Sequence, residues 1–186
     1  MKKRTFLWIG ITVSLTSIVW ILLTSFLLPT QSSSSRIEAP HKGFYAPDFT
    51  LETIEGEPIN LSELRGQPVL VFLWASWCSV CKTAMPGLQP VYNDYASLGF
   101  EILAVNMAFQ DSLSTAKTYF QAQGFTYPML LDRDGSMAKD YQLHALPTSI
   151  LVAPDGKVLD VIIGFGLTEG LLRSRLDKLL ISEESD

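Results

Sequence analysis

The order of strand and helix patterns predicts a three-layer α/β domain with a mixed central sheet. Apolar runs rich in β-branched residues, at 69–74 and 101–107, are typical of strands buried on both faces, and apolar residues at helical spacing follow each run. Two shorter strands and a closing helix at the end of the chain favour antiparallel strands beside parallel ones. With 186 residues, the chain has room for one such domain and an appendage.

The appendage is an amino-terminal segment that predicts one transmembrane helix. Residues 6–28 include no charged residue, and at about 1.5 Å per residue they can cross a hydrocarbon core of roughly 30 Å. The tip at 1–5 is basic, which orients the amino terminus toward the cytoplasm and the domain toward the extracytoplasmic face. A cleaved signal peptide is the alternative, but its apolar core is usually about 7–15 residues long and ends at a small-x-small site.

The anchor and the domain are separated by a segment that predicts a flexible tether. Residues 29–43 include a run of small polar residues with little apolar surface to pack, and the domain is expected at 44–182 with an acidic tail at 183–186. Four of the 14 Lys and Arg residues precede residue 37 whereas all 19 Asp and Glu residues follow it, so the remainder carries a net charge of −9. A domain with this net negative charge repels phosphate groups, so its electrostatics do not favour nucleic-acid binding.

Turn and capping residues delimit the elements of the domain. Turns at Glu55-Gly56 and Pro154-Asp155-Gly156 predict hairpins, Gly99 and Gly124 end helices, and Asp111 or Ser112 caps one. In chain order we expect a hairpin at 49–51 and 58–61 that covers a sheet edge, a strand at 69–74, a helix from Cys78 onward, a strand at 101–107, a helix at 113–123, a strand at 129–131, a helix at 136–141, a hairpin at 149–153 and 158–163, and a helix at 168–180.

The chain contains two cysteines, Cys78 and Cys81, where the strand at 69–74 leads into a helix. Residues three apart on a helix share a face, so the two sulfurs can reach each other. Unpaired N–H groups and the helix dipole stabilise an anion at a helix start, and in such motifs a cysteine pKa falls from near 8.5 to about 3.5–7.5. Cys78 is therefore the predicted nucleophile, and Cys81 is the predicted resolving thiol.

Two other interpretations of the cysteine pair stay open. An oxidising compartment permits a static disulfide, although so short a loop restricts the unfolded chain only slightly. A closed tetrahedral metal site would need two more ligands than the cysteines supply, and the chain has only His41 and His144 to offer, but copper(I) can bind two thiolates alone. We predict no metal and no cofactor beyond the redox-active pair.

Three segments carry a resemblance to a known family. They are Ala46-Pro47-Asp48-Phe49-Thr50-Leu51, Trp74-Ala75-Ser76-Trp77-Cys78-Ser79-Val80-Cys81-Lys82 with Pro86 following, and Leu146-Pro147-Thr148. On these segments the chain resembles the TlpA/ResA/CcmG group of membrane-anchored thioredoxin-like proteins over about residues 45–180. The resemblance implies a thioredoxin-like α/β/α fold and a domain of the AhpC/TSA redoxin type.

The resemblance also implies roles for four residues near the cysteines. Pro147 is expected to be cis and to lie beside the pair, where the adjacent backbone of Leu146 binds an extended substrate segment. Pro86 should kink the helix behind the site, since proline removes one intrahelical hydrogen bond. Trp77 is expected to shield one side of the nucleophile.

The chain departs from this family at three positions. Many relatives have a glutamate where this chain has Ala84, and thioredoxins bury an acidic residue where it has Phe72. No general base is therefore visible in the sequence. The dipeptide Ser79-Val80 also differs from the usual proline-containing pairs, so the sequence does not fix the reduction potential.

The resemblance implies a protein-disulfide reductase that receives electrons from a membrane thiol carrier of the CcdA/DsbD kind. Its substrates would be apocytochrome c or other disulfide-containing envelope proteins. The anchor suits this role because tethering raises the effective concentration near a membrane-bound donor. The alternatives are a thiol oxidase, a peroxidase and a copper-delivering assembly factor for respiratory oxidases. Peroxidases, however, present a Pro-x-x-x-Thr-x-x-Cys loop, and copper factors usually space their cysteines by three residues and add a histidine ligand.

Overall fold

The computed structural model describes residue 20 and residues 36–183 of the chain. In this part the strands are β1 (Thr50–Thr53), β2 (Pro58–Asn60), β3 (Val69–Trp74), β4 (Glu101–Asn106), β5 (Met129–Leu131), β6 (Thr148–Val152) and β7 (Val158–Ile163). The α-helices are α1 (Ser79–Ala84), α2 (Leu88–Tyr95), α3 (Leu113–Ala122), α4 (Ser136–Asp140) and α5 (Glu169–Glu183). Short 3₁₀ turns occur at Leu61–Leu64, Met85–Gly87 and Ala96–Leu98.

The described strands form one mixed seven-stranded sheet in the order β2-β1-β5-β4-β3-β6-β7. Strands β3, β4 and β5 run parallel to one another, whereas the other pairings are antiparallel. All six residues of β3 are buried, as its unbroken apolar sequence predicted for a central strand. The hairpin of β1 and β2 covers one edge, which confirms the expected position of the leading hairpin.

Side chains on alternate residues of β3 face two separate cores. Phe72 and Trp74 face the side covered by α1, α2, α3 and α5, whereas Val71 and Leu73 face the side covered by α4 and the first 3₁₀ turn. The helices add buried side chains to the first core at Cys81, Met85, Leu88, Val91, Ala116, Phe120, Leu172 and Leu176. The predicted three-layer α/β/α arrangement is therefore confirmed.

Residues 36–43, which the sequence pattern assigned to the tether, pack on the domain. The Gly43 N–H donates a hydrogen bond to the Val158 carbonyl at 2.8 Å, and the Ala39 N–H donates to the Tyr45 carbonyl at 2.9 Å. Strand β7 lies at the sheet edge, where backbone groups are free to pair with an added segment. Composition alone does not reveal such a partner, so the packed part of the chain begins earlier than residue 44.

The predicted anchor at 6–28 lies outside the described residues, apart from Trp20. The basic tip at 1–5, the tether up to residue 35 and the last three residues of the acidic tail at 183–186 also lie outside them. None of the helices that the structure does describe combines the length and the apolar character needed to span a bilayer.

The carboxyl ends of the three parallel strands meet at one edge of the sheet, here called the cysteine edge. Strand β3 ends there at Trp74, β4 at Asn106 and β5 at Leu131. Strand β6 begins at the same edge because it runs antiparallel to β3. The segments that follow β3, β4 and β5, and the segment that precedes β6, therefore converge there.

Asp132, directly after β5, is a fully buried carboxylate. Its Oδ2 accepts a hydrogen bond from the Ala138 N–H at 3.0 Å, while no described group bonds to its Oδ1. Burial raises the pKa of the Asp132 carboxyl above its ordinary value, against the opposing effect of N–H groups at the start of α4. The folded protein therefore binds the Asp132 proton more tightly than the unfolded chain does.

Replacement of this carboxylate should change how stability depends on pH. The contribution of Asp132 to the free energy of unfolding is fully present below the pKa that this group has in the unfolded chain. It is lost as pH rises through the higher pKa in the folded protein. We expect Asp132→Asn to gain free energy of unfolding relative to wild type as pH rises from the ordinary aspartate pKa through the higher folded pKa, because the amide keeps an oxygen for Ala138 without the buried charge. Urea denaturation over this pH series measures the difference.

Asp134 provides a control of opposite sign. Hydrogen bonds from Ser136 lower the pKa of this exposed carboxyl, so its contribution is present above its unfolded pKa and lost in acid. Asp134→Asn should therefore lose stability relative to wild type as pH rises. A pH-independent difference for Asp132→Asn would contradict the assignment of a raised pKa.

Candidate active site

Cys78 and Cys81 lie at the amino-terminal end of α1, at the cysteine edge. Cys78 is the capping residue of α1, with extended backbone angles of φ −81° and ψ 103°, and its Sγ accepts a hydrogen bond from the Cys81 N–H at 3.1 Å. The two sulfurs are joined in a disulfide, with 5.3 Å between the Cα atoms. In the reduced protein this N–H group, which has no partner within the helix, is positioned to stabilise a thiolate on Cys78.

The two cysteines differ in their access to solvent. Cys81 is fully buried, whereas Cys78 keeps 6% of its surface exposed. The side chains around Cys78 are more open, since Trp77 is 60% exposed and Val80 is 39% exposed. Trp77 is thus a surface residue beside the nucleophile rather than a core residue, while its shielding role stays a prediction. An approaching disulfide reaches Cys78 first.

Pro86 interrupts the helix behind the cysteines, as predicted. Proline has no N–H, so the Lys82 carbonyl lacks its usual partner one turn later. The Tyr119 hydroxyl donates to this carbonyl at 3.1 Å, and the Tyr127 hydroxyl donates to the Met85 carbonyl at 3.3 Å. Two tyrosines that sequence reasoning did not single out therefore hold the helix break in place; only their aromatic character hinted at a core position.

The peptide bond between Leu146 and Pro147 is cis, as the resemblance implied. Because Leu73 pairs with Thr148, the ladder between β3 and β6 puts Pro147 beside the end of β3, close to where the cysteine segment begins. The buried Pro147 accepts a hydrogen bond on its carbonyl from the Gly164 N–H at 2.7 Å. Leu146 is half-buried between the two cores. The substrate-binding roles of Leu146 and Pro147 stay predictions.

Asp111 has a different role from the one its sequence position suggested. The sequence offered Asp111 and Ser112 as alternative caps of α3, and Ser112 is the cap, since its hydroxyl accepts the Thr115 N–H at 3.4 Å. The Asp111 carboxylate instead binds Ser76, two residues before Cys78. Sequence reasoning missed this contact because it joins residues 35 positions apart.

Apolar side chains occupy the two positions at which the family resemblance implied an acid. Phe72 is fully buried, and Ala84 packs against the same core. Within the described ranges, no three side chains of His, Cys, Asp or Glu come together as a metal site. Beside the two sulfurs, this edge presents backbone N–H donors and apolar side chains, with the Asp111 carboxylate bound to Ser76.

Comparisons with known proteins agree on the type of protein. The model of the AhpC/TSA family matches residues 43–161. Thiol-disulfide oxidoreductase ResA of Bacillus subtilis is 30% identical over 184 residues, which cover 99% of this chain and 98% of that protein. ResA of Geobacillus kaustophilus is 35% identical over 131 residues, covering 70% of this chain and 74% of that protein.

Solved structures show the same fold. The crystal structure of StoA from Bacillus subtilis matches with a TM-score of 0.60 and 30% identity, over 69% of this chain and 95% of StoA. A thiol:disulfide interchange protein of the thioredoxin family from Chlorobium tepidum matches with a TM-score of 0.66 and 25% identity, over 73% of this chain and 95% of that one.

The sheet topology, the cis proline and the capping cysteine together define a thioredoxin-like thiol–disulfide oxidoreductase. The chain belongs to the AhpC/TSA family, whose model covers more than half of it, and it aligns with ResA of Bacillus subtilis over nearly its whole length.

Removal of the exposed Trp77 ring should change the rate of exchange with protein substrates more than it changes the stability of the fold. For Trp77→Ala we expect the free energy of unfolding to change by less than about 0.5 kcal/mol, since the ring is mostly in solvent. We expect disulfide exchange with a protein substrate to slow roughly threefold to tenfold, because an aromatic anchor is lost. Exchange with a small disulfide should slow less. Stopped-flow kinetics with both substrates measures the two rates.

Leu98 supplies the control for this comparison. It is 57% exposed, like Trp77, but lies at the opposite edge of the sheet, just before β4 begins. Leu98→Ala should leave both rates unchanged. Equal slowing of the protein substrate and the small disulfide in Trp77→Ala would show that the ring acts on Cys78 itself rather than on the substrate.

Proposed function

We propose that this protein is an extracytoplasmic protein-disulfide reductase that works by dithiol–disulfide exchange. The observation that carries the proposal is the position of Cys78 as the cap of α1, with its sulfur bound by the Cys81 N–H and with Cys81 fully buried behind it. The names of the relatives, thiol-disulfide oxidoreductase ResA among them, support the same class of reaction. The exchange needs no cofactor besides the two cysteines.

The reaction consists of two displacements at sulfur. The Cys78 thiolate attacks one sulfur of a substrate disulfide, which forms a mixed disulfide and releases the other substrate sulfur as a thiolate. The Cys81 thiolate then attacks the Cys78 sulfur, releases the second substrate thiolate and forms the Cys78–Cys81 disulfide. Two electrons pass to the substrate, and two protons pass to its thiolates from the original thiols by way of solvent, since Ala84 and Phe72 provide no acid.

The partners we propose are disulfide-containing envelope proteins, with apocytochrome c as one candidate, and a membrane thiol carrier of the CcdA/DsbD kind as the electron donor. An anchor formed by residues 6–28 would hold the domain on the outer side of the cell membrane, and the charge-free sequence of this segment supports that arrangement. Tethering to the same membrane would bring the oxidised site repeatedly to its donor.

Substitution of the resolving cysteine should trap the substrate. With Cys81→Ser in the full chain, the mixed disulfide through Cys78 cannot be resolved, so covalent complexes should accumulate and disappear on treatment with dithiothreitol. Cys78→Ser is the matched control and should trap none. Non-reducing electrophoresis followed by mass spectrometry identifies the partner and the linked cysteine.

The same experiment tests the assignment of roles and of location. A linkage through Cys81 in the Cys78→Ser control, with none through Cys78, would reverse the roles of nucleophile and resolving thiol. Protease added to intact protoplasts or spheroplasts should digest the trapped complexes. Complexes that survive until the membrane is lysed would contradict an extracytoplasmic site.

The equilibrium reduction potential separates a reductase from the thiol oxidase alternative. For a reductase we expect a value near that of thioredoxin, about −270 mV, rather than near that of the strong oxidant DsbA, about −120 mV. Equilibration of the wild-type protein with a glutathione or dithiothreitol series, read by alkylation of free thiols, gives the value. A potential close to that of DsbA would favour disulfide formation as the physiological direction.

A further inference from the structure

The Asp111 carboxylate receives four hydrogen bonds at the cysteine edge. Its Oδ2 accepts from the Ser76 N–H at 2.6 Å and from the Asn106 Nδ2 at 2.8 Å. Its Oδ1 accepts from the Ser76 hydroxyl at 2.6 Å and from the Ser112 N–H at 2.8 Å. Hydrogen bonds to an ionised carboxylate are shorter and stronger than neutral ones, so this group holds its partners firmly.

Three segments are joined through this one carboxylate. Ser76 belongs to the segment between β3 and α1, Asn106 is the last residue of β4, and Ser112 caps α3. Ser76 and Asn106 are both buried, with 6% and 0% of their surface exposed, so water competes weakly for these bonds. The segment at 75–77, which leads into Cys78, is thereby fixed to the neighbouring strand.

Capping of α3 does not account for these contacts. The Ser112 hydroxyl already performs that function by accepting the Thr115 N–H. Three of the four bonds to Asp111 come from Ser76 and Asn106, which lie outside α3. Ser76 donates both its backbone N–H and its hydroxyl to Asp111, so the contact mainly fixes the segment at 75–77.

The contact matters most when the disulfide is reduced. In the oxidised protein the bond to Cys81 limits where the Cys78 sulfur can go. After reduction, that limit is lost, and the position of Cys78 depends on α1 and on the segment at 75–77, where the Cys78 N–H donates to the Ala75 carbonyl at 3.1 Å. A nucleophile reacts fast when the donors that stabilise it are held in place beforehand.

We propose that Asp111 is a positioning residue for the reaction of Cys78: through Ser76 its carboxylate fixes the segment at 75–77 and keeps the reduced sulfur beside the Cys81 N–H. The proposal rests on the proposed function in one respect, namely that reduced Cys78 is the attacking group. Asp111 does not touch the substrate and is not a catalytic residue. Its effect is on the reactivity of Cys78, whichever disulfide the thiolate attacks.

Alkylation of reduced full-length protein with iodoacetamide across a pH series tests the proposal, with Cys78 modification quantified by peptide mass spectrometry. In Ser76→Ala the backbone bond to Asp111 and the charge remain, but the hydroxyl bond is lost. We expect Cys78 alkylation at neutral pH to slow about threefold and the midpoint of the pH profile to move upward. Ser76→Thr keeps the hydroxyl and should react like wild type.

Asp111→Ala removes all four bonds and should slow Cys78 alkylation roughly tenfold. The direction of this change in rate distinguishes positioning from simple electrostatics. Loss of a nearby negative charge would by itself make a thiolate easier to form and would speed alkylation. Asp140→Ala removes an exposed negative charge from the end of α4 and is the matched control, expected to leave the rate unchanged.

Each outcome of the alkylation experiment either supports or overturns the positioning role of Asp111. Slower alkylation in Ser76→Ala and Asp111→Ala, with recovery in Ser76→Thr, supports the proposal. An unchanged rate in Ser76→Ala, an equal loss in Ser76→Thr, or faster alkylation in Asp111→Ala overturns it. If Asp111→Ala does not fold, the two Ser76 variants decide alone. Failure of Cys81→Ser to form mixed disulfides in the trapping experiment would instead overturn the proposed function and leave these alkylation rates unaffected.

Discussion

One hydrogen bond, from the Cys81 N–H to the Cys78 sulfur at 3.1 Å, is the interaction on which the chemistry of this protein depends. It exists because α1 begins at the carboxyl end of a central parallel strand, where the first N–H groups of a helix have no partner in the helix. The same geometry leaves Cys81 fully buried and a small part of Cys78 exposed. The proposed order of attack by Cys78 and release by Cys81 follows from that difference.

The structure around this bond restrains the two ends of α1 by different means. Ahead of the helix, Asp111 fixes the segment that contains Ser76. Behind it, Pro86 interrupts the α-helical hydrogen bonding, and the Tyr119 hydroxyl binds the Lys82 carbonyl, which the proline leaves without its usual partner. The Tyr127 hydroxyl binds the Met85 carbonyl. The helix that carries both sulfurs is short, and packing against α3 and the sheet compensates for the few hydrogen bonds within it.

Most of the fold was predictable because its signals are local. The apolar run at 69–74 has no polar face, which is typical of a strand covered on both sides, and the cysteine pair directly after it marks a helix start. Glycines at 99 and 124 adopt positive φ at the ends of their helical segments, as their position in the pattern indicated. The cis peptide bond before Pro147 was predicted from the family resemblance alone, because most bonds that precede proline are trans.

The contacts that position the site were not predictable, because they join residues far apart in the sequence. Ser76 and Asp111 are 35 positions apart, and Tyr119 is 37 positions from the Lys82 carbonyl that it binds. Each is an ordinary polar residue until the sheet topology brings the segments together. The packing of residues 36–43 against β7 was hidden for the same reason, since their composition resembles that of a linker.

Competitive alkylation of the reduced wild-type protein at neutral pH tests the central claim most directly. If the sulfur at the start of α1 is held as a thiolate, Cys78 should react at least about tenfold faster than Cys81 and faster than the thiol of an unstructured peptide. Equal, peptide-like rates at both cysteines would show that the helix start does not activate Cys78, and the pair would then be a structural disulfide.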